Sequence, residues 1–520
     1  MNKTGIFLLL WVILFMTACS SNQPEVEAAP TETISSQMPT QERVQPTATR
    51  APTATVKPTL EITDTPEKTD VPTESPGGET EDATGHEAAE TLVLQYNPNE
   101  TNYFSMETSP DGYRLAYQKF SEQGMYVVLE EEEYGPYDEV SMLFFSSDNQ
   151  HLAYVATLGS EQFVVLDGVE KTHYKEILTC GCSWGQEIEF SPDGNRLAYI
   201  ATKGQKPIAV IDGEEFEYDG IEFPILFSPD SKRVVYVARN LNGEANIIMD
   251  GIEGPKYDYI DTANDNFLFS PDSNRFAYSA AKGNDWFVVT DAGQSQPMEG
   301  MAFDVIFSPD SQHIAYDFEI NGQKVMVLDG EELESYEWGI VPVFSPDSQR
   351  LVYRVKKDGT WYVSVDGELG PKLGGFQYSM TFSPDSQRLA YKVEFNDKDV
   401  MVVDEEIQEP HDVRSYPIFS PDSQHLAYST YDGEIWHLVL DGEEIEDYEG
   451  VSKITFSPDS NHILFIAQDD DTWIEYVVLD GVESKKYDKI ISPILFDSEN
   501  SFHYMAILDD EVYLVEEIIN

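Results

Sequence analysis

From Thr91 onward, short apolar runs alternate with turn-forming residues in a pattern that repeats along the chain. The segment from Phe307 to Val343 shows one period. A run ending "VIF" leads into "SPDS", "HIAYDFEI" follows, "NGQ" interrupts, "KVMVLDG" comes next and "LESYEWGI" closes. Each run is short, rich in Val, Ile, Tyr and Phe, and bounded by Gly, Asn or Asp, which are strand and turn signals. The three-and-four apolar spacing of a helix does not occur in it. The pattern predicts four short antiparallel strands in about 38 residues, the size of one propeller blade.

The period then sets the architecture. Ser-Pro-Asp recurs at Pro110, Pro192, Pro229, Pro271, Pro309, Pro346, Pro384, Pro421 and Pro458, and two degenerate copies begin at Phe145 and Phe496. That makes eleven modules, most of them 37 or 38 residues apart. Pro presets φ at the second position of a type I turn, and the Asp carboxylate can accept N–H groups within it. "FSPDS" is therefore read as a folding device and not as shared catalytic chemistry. "TLVLQY" (Thr91–Tyr96) precedes the first turn and lacks a module of its own, whereas the last module lacks a fourth strand. The first strand is expected to complete the last blade and so remove exposed edges. Eleven blades exceed the usual four to eight. The fold class is thus all-β, either one large ring or two tandem propellers of five or six blades, with a slight preference for two.

The repeat resembles the TolB-type propeller repeat, related to WD-repeat blades. "FSPDG" at Phe190–Gly194 matches that signature as written, and seven other copies read "FSPDS". The resemblance covers nearly all of residues 91–520 and implies a fold more than a task, because such blades serve many functions.

The N-terminus has a different composition. "MNKTGIFLLLWVILFMTACSSN" carries Lys3, then an apolar run too short to span a bilayer comfortably, then small residues before Cys19, and reads as a secretory signal. "MTAC" resembles the lipobox of bacterial lipoproteins, which implies cleavage before Cys19 and lipid attachment there. Residues 20–90 are rich in Thr, Pro and Glu and nearly lack aromatics. Such a segment buries too little apolar area to offset its ordering entropy. We read 1–19 as the signal, 20–90 as a disordered tether of about 70 residues, and 91–520 as the repeat region. The expected location is extracytoplasmic, periplasmic or at the cell surface, with the membrane reached through the lipid anchor alone.

Charge narrows the partners. The chain holds 95 acids against 32 bases, a net charge of −63. Such a chain is repelled by nucleic acid, so none is expected as a partner. No cofactor or metal is expected either. Cys180 and Cys182, in "LTCGCSWGQ", lack the further ligands of a structural zinc site and read as a loop that can close a local disulfide. The turns after strands one and three ("SPDS" and "DGEE") fall on one face of every blade. That densely acidic face either attracts cations or a basic partner or simply keeps the protein soluble.

The opposite face carries the turns between strands two and three, near which tryptophan recurs. Trp286, Trp361 and Trp436 each sit five residues before an Asp, and Trp473 lies in a related turn. They either pack between blades or form a ligand rim for a protein or glycan. His151, His313, His425 and His462 share one turn-exit position with Arg in other copies and read as interchangeable polar residues. No G-x-S-x-G, H-E-x-x-H or P-loop pattern is present. The favoured reading is a non-enzymatic, surface-tethered scaffold binding a protein or glycan of the cell envelope. The alternative is a hydrolase or lyase with its site in the central funnel, which converging carboxylates or histidines on the first strands would favour. "ILF", "VIF", "VPVF", "SMTF" and "KITF" there are mainly apolar.

Overall fold

The computed structural model describes residues 86–520 apart from 102, 179–187, 263–265, 340, 376–379, 396–397, 409–411, 470–471 and 520. Cys19, Cys180, Cys182 and nearly all of the tether lie outside the described residues. No α-helix occurs among those described; the strands form eleven small antiparallel sheets. In the sixth blade the strands are Ala302–Phe307, Ile314–Ile320, Gln323–Leu328 and Glu331–Tyr336, hydrogen-bonded in that order from the inside outward. The expected fourth strand therefore stops at Tyr336, and Trp338–Gly339 begins the inner strand of the next blade.

The second strand of each blade is buried on both faces. Leu197, Tyr199 and Ala201 pack toward the preceding blade, and Ala198 and Ile200 toward the following one. This is why "LAYIA" is continuously apolar instead of alternating. Eleven hydrophobic clusters result, each shared by two consecutive blades. The eleventh joins Leu115 of the first blade to Met505, Ile507 and Val512 of the last. The array is therefore one ring of eleven blades. The preference for two smaller propellers is corrected, because a divided array would close its first blade against the fifth or sixth.

Closure uses the first strand as expected, but that strand is longer. It runs His86–Gln95 and pairs with Glu511–Ile519, from His86 opposite Ile519 to Gln95 opposite Glu511. Its first five residues fall within the stretch assigned to the tether. They hold no large apolar residue, because an outermost strand is held by backbone pairing and needs no apolar face. Glu90 adds side-chain anchors, accepting from Tyr487 Oη at 2.6 Å and pairing with Lys485 Nζ at 2.8 Å.

The recurrent turn has one geometry throughout. In "SPDS" of the sixth blade, Ser311 N–H donates to Ser308 O at 2.8 Å, and Gln312 N–H donates to Asp310 Oδ1 at 3.0 Å. Ser308 Oγ donates to Asp310 Oδ1 and accepts from His313 N–H. The last serine, Ser311, sits at φ 63°, where TolB-type repeats have Gly. It offsets that strain by reaching sideways: its Oγ accepts the Asp272 N–H of the preceding blade at 3.0 Å. The same bond recurs from Asp193, Asp230, Asp310, Asp347, Asp385 and Asp422 to the serine of the next turn. Gly194 keeps its glycine because a Cβ there would lie 2.4 Å from the Asp148 carboxylate.

A second tie crosses six of the joints at the turn exit. Arg196 stacks over Phe227 of the next blade at 4.9 Å and donates to the carbonyls of Ser231 and Lys232, while its Nε holds Asp212 at 2.9 Å. Asp212 also accepts the Leu197 N–H at 3.0 Å. The acids of the "DG" turns thus cap their own blades and are more than a solvated rim.

Ring closure predicts the effect of two truncations. A chain beginning at residue 80 should melt at the temperature of the full chain. One beginning at residue 96 exposes the edge of Glu511–Ile519, and should melt lower and self-associate by light scattering. Equal melting of the two would remove the structural role of the first strand.

Candidate functional site

The tryptophans divide. Trp286 is half-buried against the cluster joining the fifth and sixth blades, pairs with Ala281 and bridges Met298. Trp361 sits likewise at the next joint but one, bridging Leu373. Trp436 packs into the joint of the ninth and tenth blades and lies 5.4 Å from Tyr431. These three share a register, as the spacing suggested, and their rings contribute to the joints. Trp473 is different: it sits in a turn at φ 62° and is 68% exposed.

The face carrying Trp473 exposes other large apolar groups. Leu158 ends a second strand and Leu241 lies in the turn just past one, Trp338 and Tyr259 begin inner strands, and Ile435 sits between strands two and three, all exposed. Leu241 is 88% and Trp338 57% exposed. Meander topology puts all of these on the side opposite the Ser-Pro-Asp turns. Leu241 and Trp338 gave no sequence signal, because neither falls in the tryptophan register. Their distance from the anchor motif, just past the end of strand two and just before strand one, is what could have revealed them.

The inner strands line the funnel, and here the sequence reading was incomplete. Every module has one residue immediately before the anchor position, paired with the central residue of "LAY". It is Leu226, Leu268, Ile306, Val343, Thr381 or Ile418 in most blades, but Glu107 in the first and Glu189 in the third. "METSPDG" and "EIEFSPDG" carried that signal. Glu189 is desolvated by burial, which pushes its carboxyl up to about 7. Partial desolvation also raises Glu107, an exposed residue that lines a cavity of 420 Å³ with Met106, Lys453, Ile491, Ser492 and Pro493, contributed by the first, tenth and eleventh blades. Lys453 donates to Ser492 O at 3.3 Å, and burial lowers its ammonium below the usual range. The funnel can therefore hold protonatable carboxyls beside apolar wall.

Glu189 predicts a pH dependence. The fold favours its acid form, so its stabilising contribution is complete below the ordinary carboxylate range, about pH 4. That contribution is lost as pH rises through about 7. Glu189→Gln should show a smaller fall in melting temperature between these limits than the parent chain. Parallel curves would contradict the burial of that carboxyl.

No family model matches the chain, and no curated protein matches it. Among solved structures it is similar to one titled "Crystal structure of the eukaryotic initiation factor", at 12% identity and a TM-score of 0.40, over 78% of this chain and 97% of that one. A second, Kuenenia stuttgartiensis hydrazine synthase, is similar at 12% identity and a TM-score of 0.24, over 50% of this chain and 94% of the other.

Proposed function

We propose that this β-propeller is a non-enzymatic scaffold that binds a protein or glycan of the cell envelope, held at a membrane surface by a lipid on Cys19. The observation that carries this reading is the loop-tip face, where Leu158, Leu241, Trp338, Ile435 and Trp473 stand exposed on a rigid ring. Apolar and aromatic side chains on a rigid surface supply contact area at little ordering cost, and a protein hot spot needs that. The high negative charge keeps such a surface soluble between encounters.

A second reading, a hydrolase or lyase with its site in the funnel, draws on Glu107 and Glu189. A carboxyl raised toward neutrality, as Glu189 is, suits a general acid. Under that reading Glu107→Gln with Glu189→Gln abolishes any hydrolase or lyase turnover; under the scaffold reading it leaves partner capture intact.

Capture from envelope fractions should separate two sets of variants. Leu241→Ser, Trp338→Ser and Trp473→Ser together should lose the captured partner with the melting temperature unchanged. Trp286→Ala, Trp361→Ala and Trp436→Ala together should instead destabilise the ring, by less than the about 3 kcal/mol apiece that fully buried aromatics cost, since each is half-buried. Unchanged capture by the first set would remove the loop-tip proposal. Cys19→Ser should shift the chain from the membrane to the soluble fraction.

A further inference from the structure

The turn-exit position describes how this fold holds a guanidinium. Six blades place an arginine there: Arg114, Arg196, Arg233, Arg275, Arg350 and Arg388, each with its Cζ 4.8 to 5.5 Å from the centre of a phenyl ring in the next blade. Arg275 shows the full set of contacts. It stacks on Phe307, donates to the carbonyls of Ser311 and Gln312 at 3.0 Å each, and faces Asp291 at 3.5 Å. Ring face, paired carbonyls and carboxylate match the flat, forked cation better than an ammonium.

The sixth blade has all of these receiving groups and no arginine. His313 stands at the position instead. Its Nδ1 keeps the contact with Asp329 at 2.7 Å, but its ring centre lies 6.4 Å from that of Phe344. It donates to neither Ser348 O nor Gln349 O, and these carbonyls accept no hydrogen bond from the described residues. A cleft of about 320 Å³ lies beside it, with His313, Leu333, Phe344, Ser348, Gln349, Arg350 and Asp366 in its wall. The cleft opens on the acidic face, opposite the loop tips, so it stands independently of the scaffold reading above.

We propose that this cleft is a receptor for an arginine side chain from a basic protein segment, whose guanidinium would meet the ring face and paired carbonyls that arginine meets in six other blades of the same ring. Phe344 supplies the stacking surface, the Ser348 and Gln349 carbonyls accept the terminal N–H groups, and Asp366 in the wall, which faces Arg350 at 3.5 Å, offsets the positive charge. A net charge of −63 draws such a segment to the ring at long range. His151, His425 and His462 pair with Asp167, Asp441 and Asp480 in the same register, so the arrangement has three further positions where it can recur.

Equilibrium dialysis of the full chain against acetyl-arginine amide and acetyl-lysine amide, at about 0.15 M ionic strength, tests this. The arginine probe should bind about tenfold more tightly than the lysine probe. His313→Arg should remove one arginine site at saturation while leaving the melting temperature equal or higher, since it installs the side chain of six sibling blades. Gln323→Arg, the same charge change on the opposite face, should leave capacity unchanged. Phe344→Leu should weaken the arginine probe severalfold. Equal binding of the two probes, or unchanged capacity in His313→Arg, would overturn the proposal.

Discussion

A four-stranded sheet with apolar residues on both faces cannot be stable alone, and that constraint organises this molecule. In the third blade, Tyr199 faces one neighbour and Ile200 the other, and both are buried. Fully burying a side chain of this kind contributes about 1.5–3 kcal/mol, against about 1 kcal/mol for a typical hydrogen bond. Each joint holds several such side chains, so packing sets the stacking of the blades. The serine and arginine ties across the turns then fix which surface of a blade meets the next. Burial at eleven joints supplies the cohesion, and the polar ties supply the registry.

The same constraint explains what could be read from the chain. The blade, its turn and its closing strand were legible because each is a local pattern: "FSPDS" specifies a turn, and "LAY" a strand buried on both sides. The number of rings was not legible. Every joint is built alike, and nothing within a blade records how many others follow before closure. The start of the strand at His86 was hidden because it holds no large apolar residue, and pairing at an edge requires no apolar code. Glu107 and Glu189 were missed because the motif draws the eye to the anchor residue, while the funnel is lined by the residue before it. The tryptophan register was real, yet register shows shared position and cannot separate packing from exposure; only Trp473 stands free on its turn.

The high content of acids also becomes more orderly. Asp310 and its counterparts terminate their own turns, and Asp212 and Asp329 cap second strands while holding the Arg or His beside them. Much of the negative charge on that face is therefore part of the frame. The opposite face departs from this economy, with bulky apolar side chains at loop tips where no folding role is evident. The ring thus offers two unlike surfaces from one repeated unit, one polar and built for registry, the other variable from blade to blade.

Closure by the first strand has a consequence for how the protein comes to be folded. Gln95 and its partner Glu511 are separated by 416 positions, so the earliest strand made must wait for the last. Neighbouring blades can stack as they emerge, each joint drawing on contacts between adjacent modules. The circle cannot shut until the C-terminal strand is available, and the loop-closure entropy of nearly the whole array is then met in one step. Until that moment the growing arc presents a bare sheet at its leading end and an unpaired strand at its trailing end. Both are surfaces on which two chains could trade strands, and the charge of Glu90, with no large apolar residue beside it, makes the trailing one a poor template for such exchange.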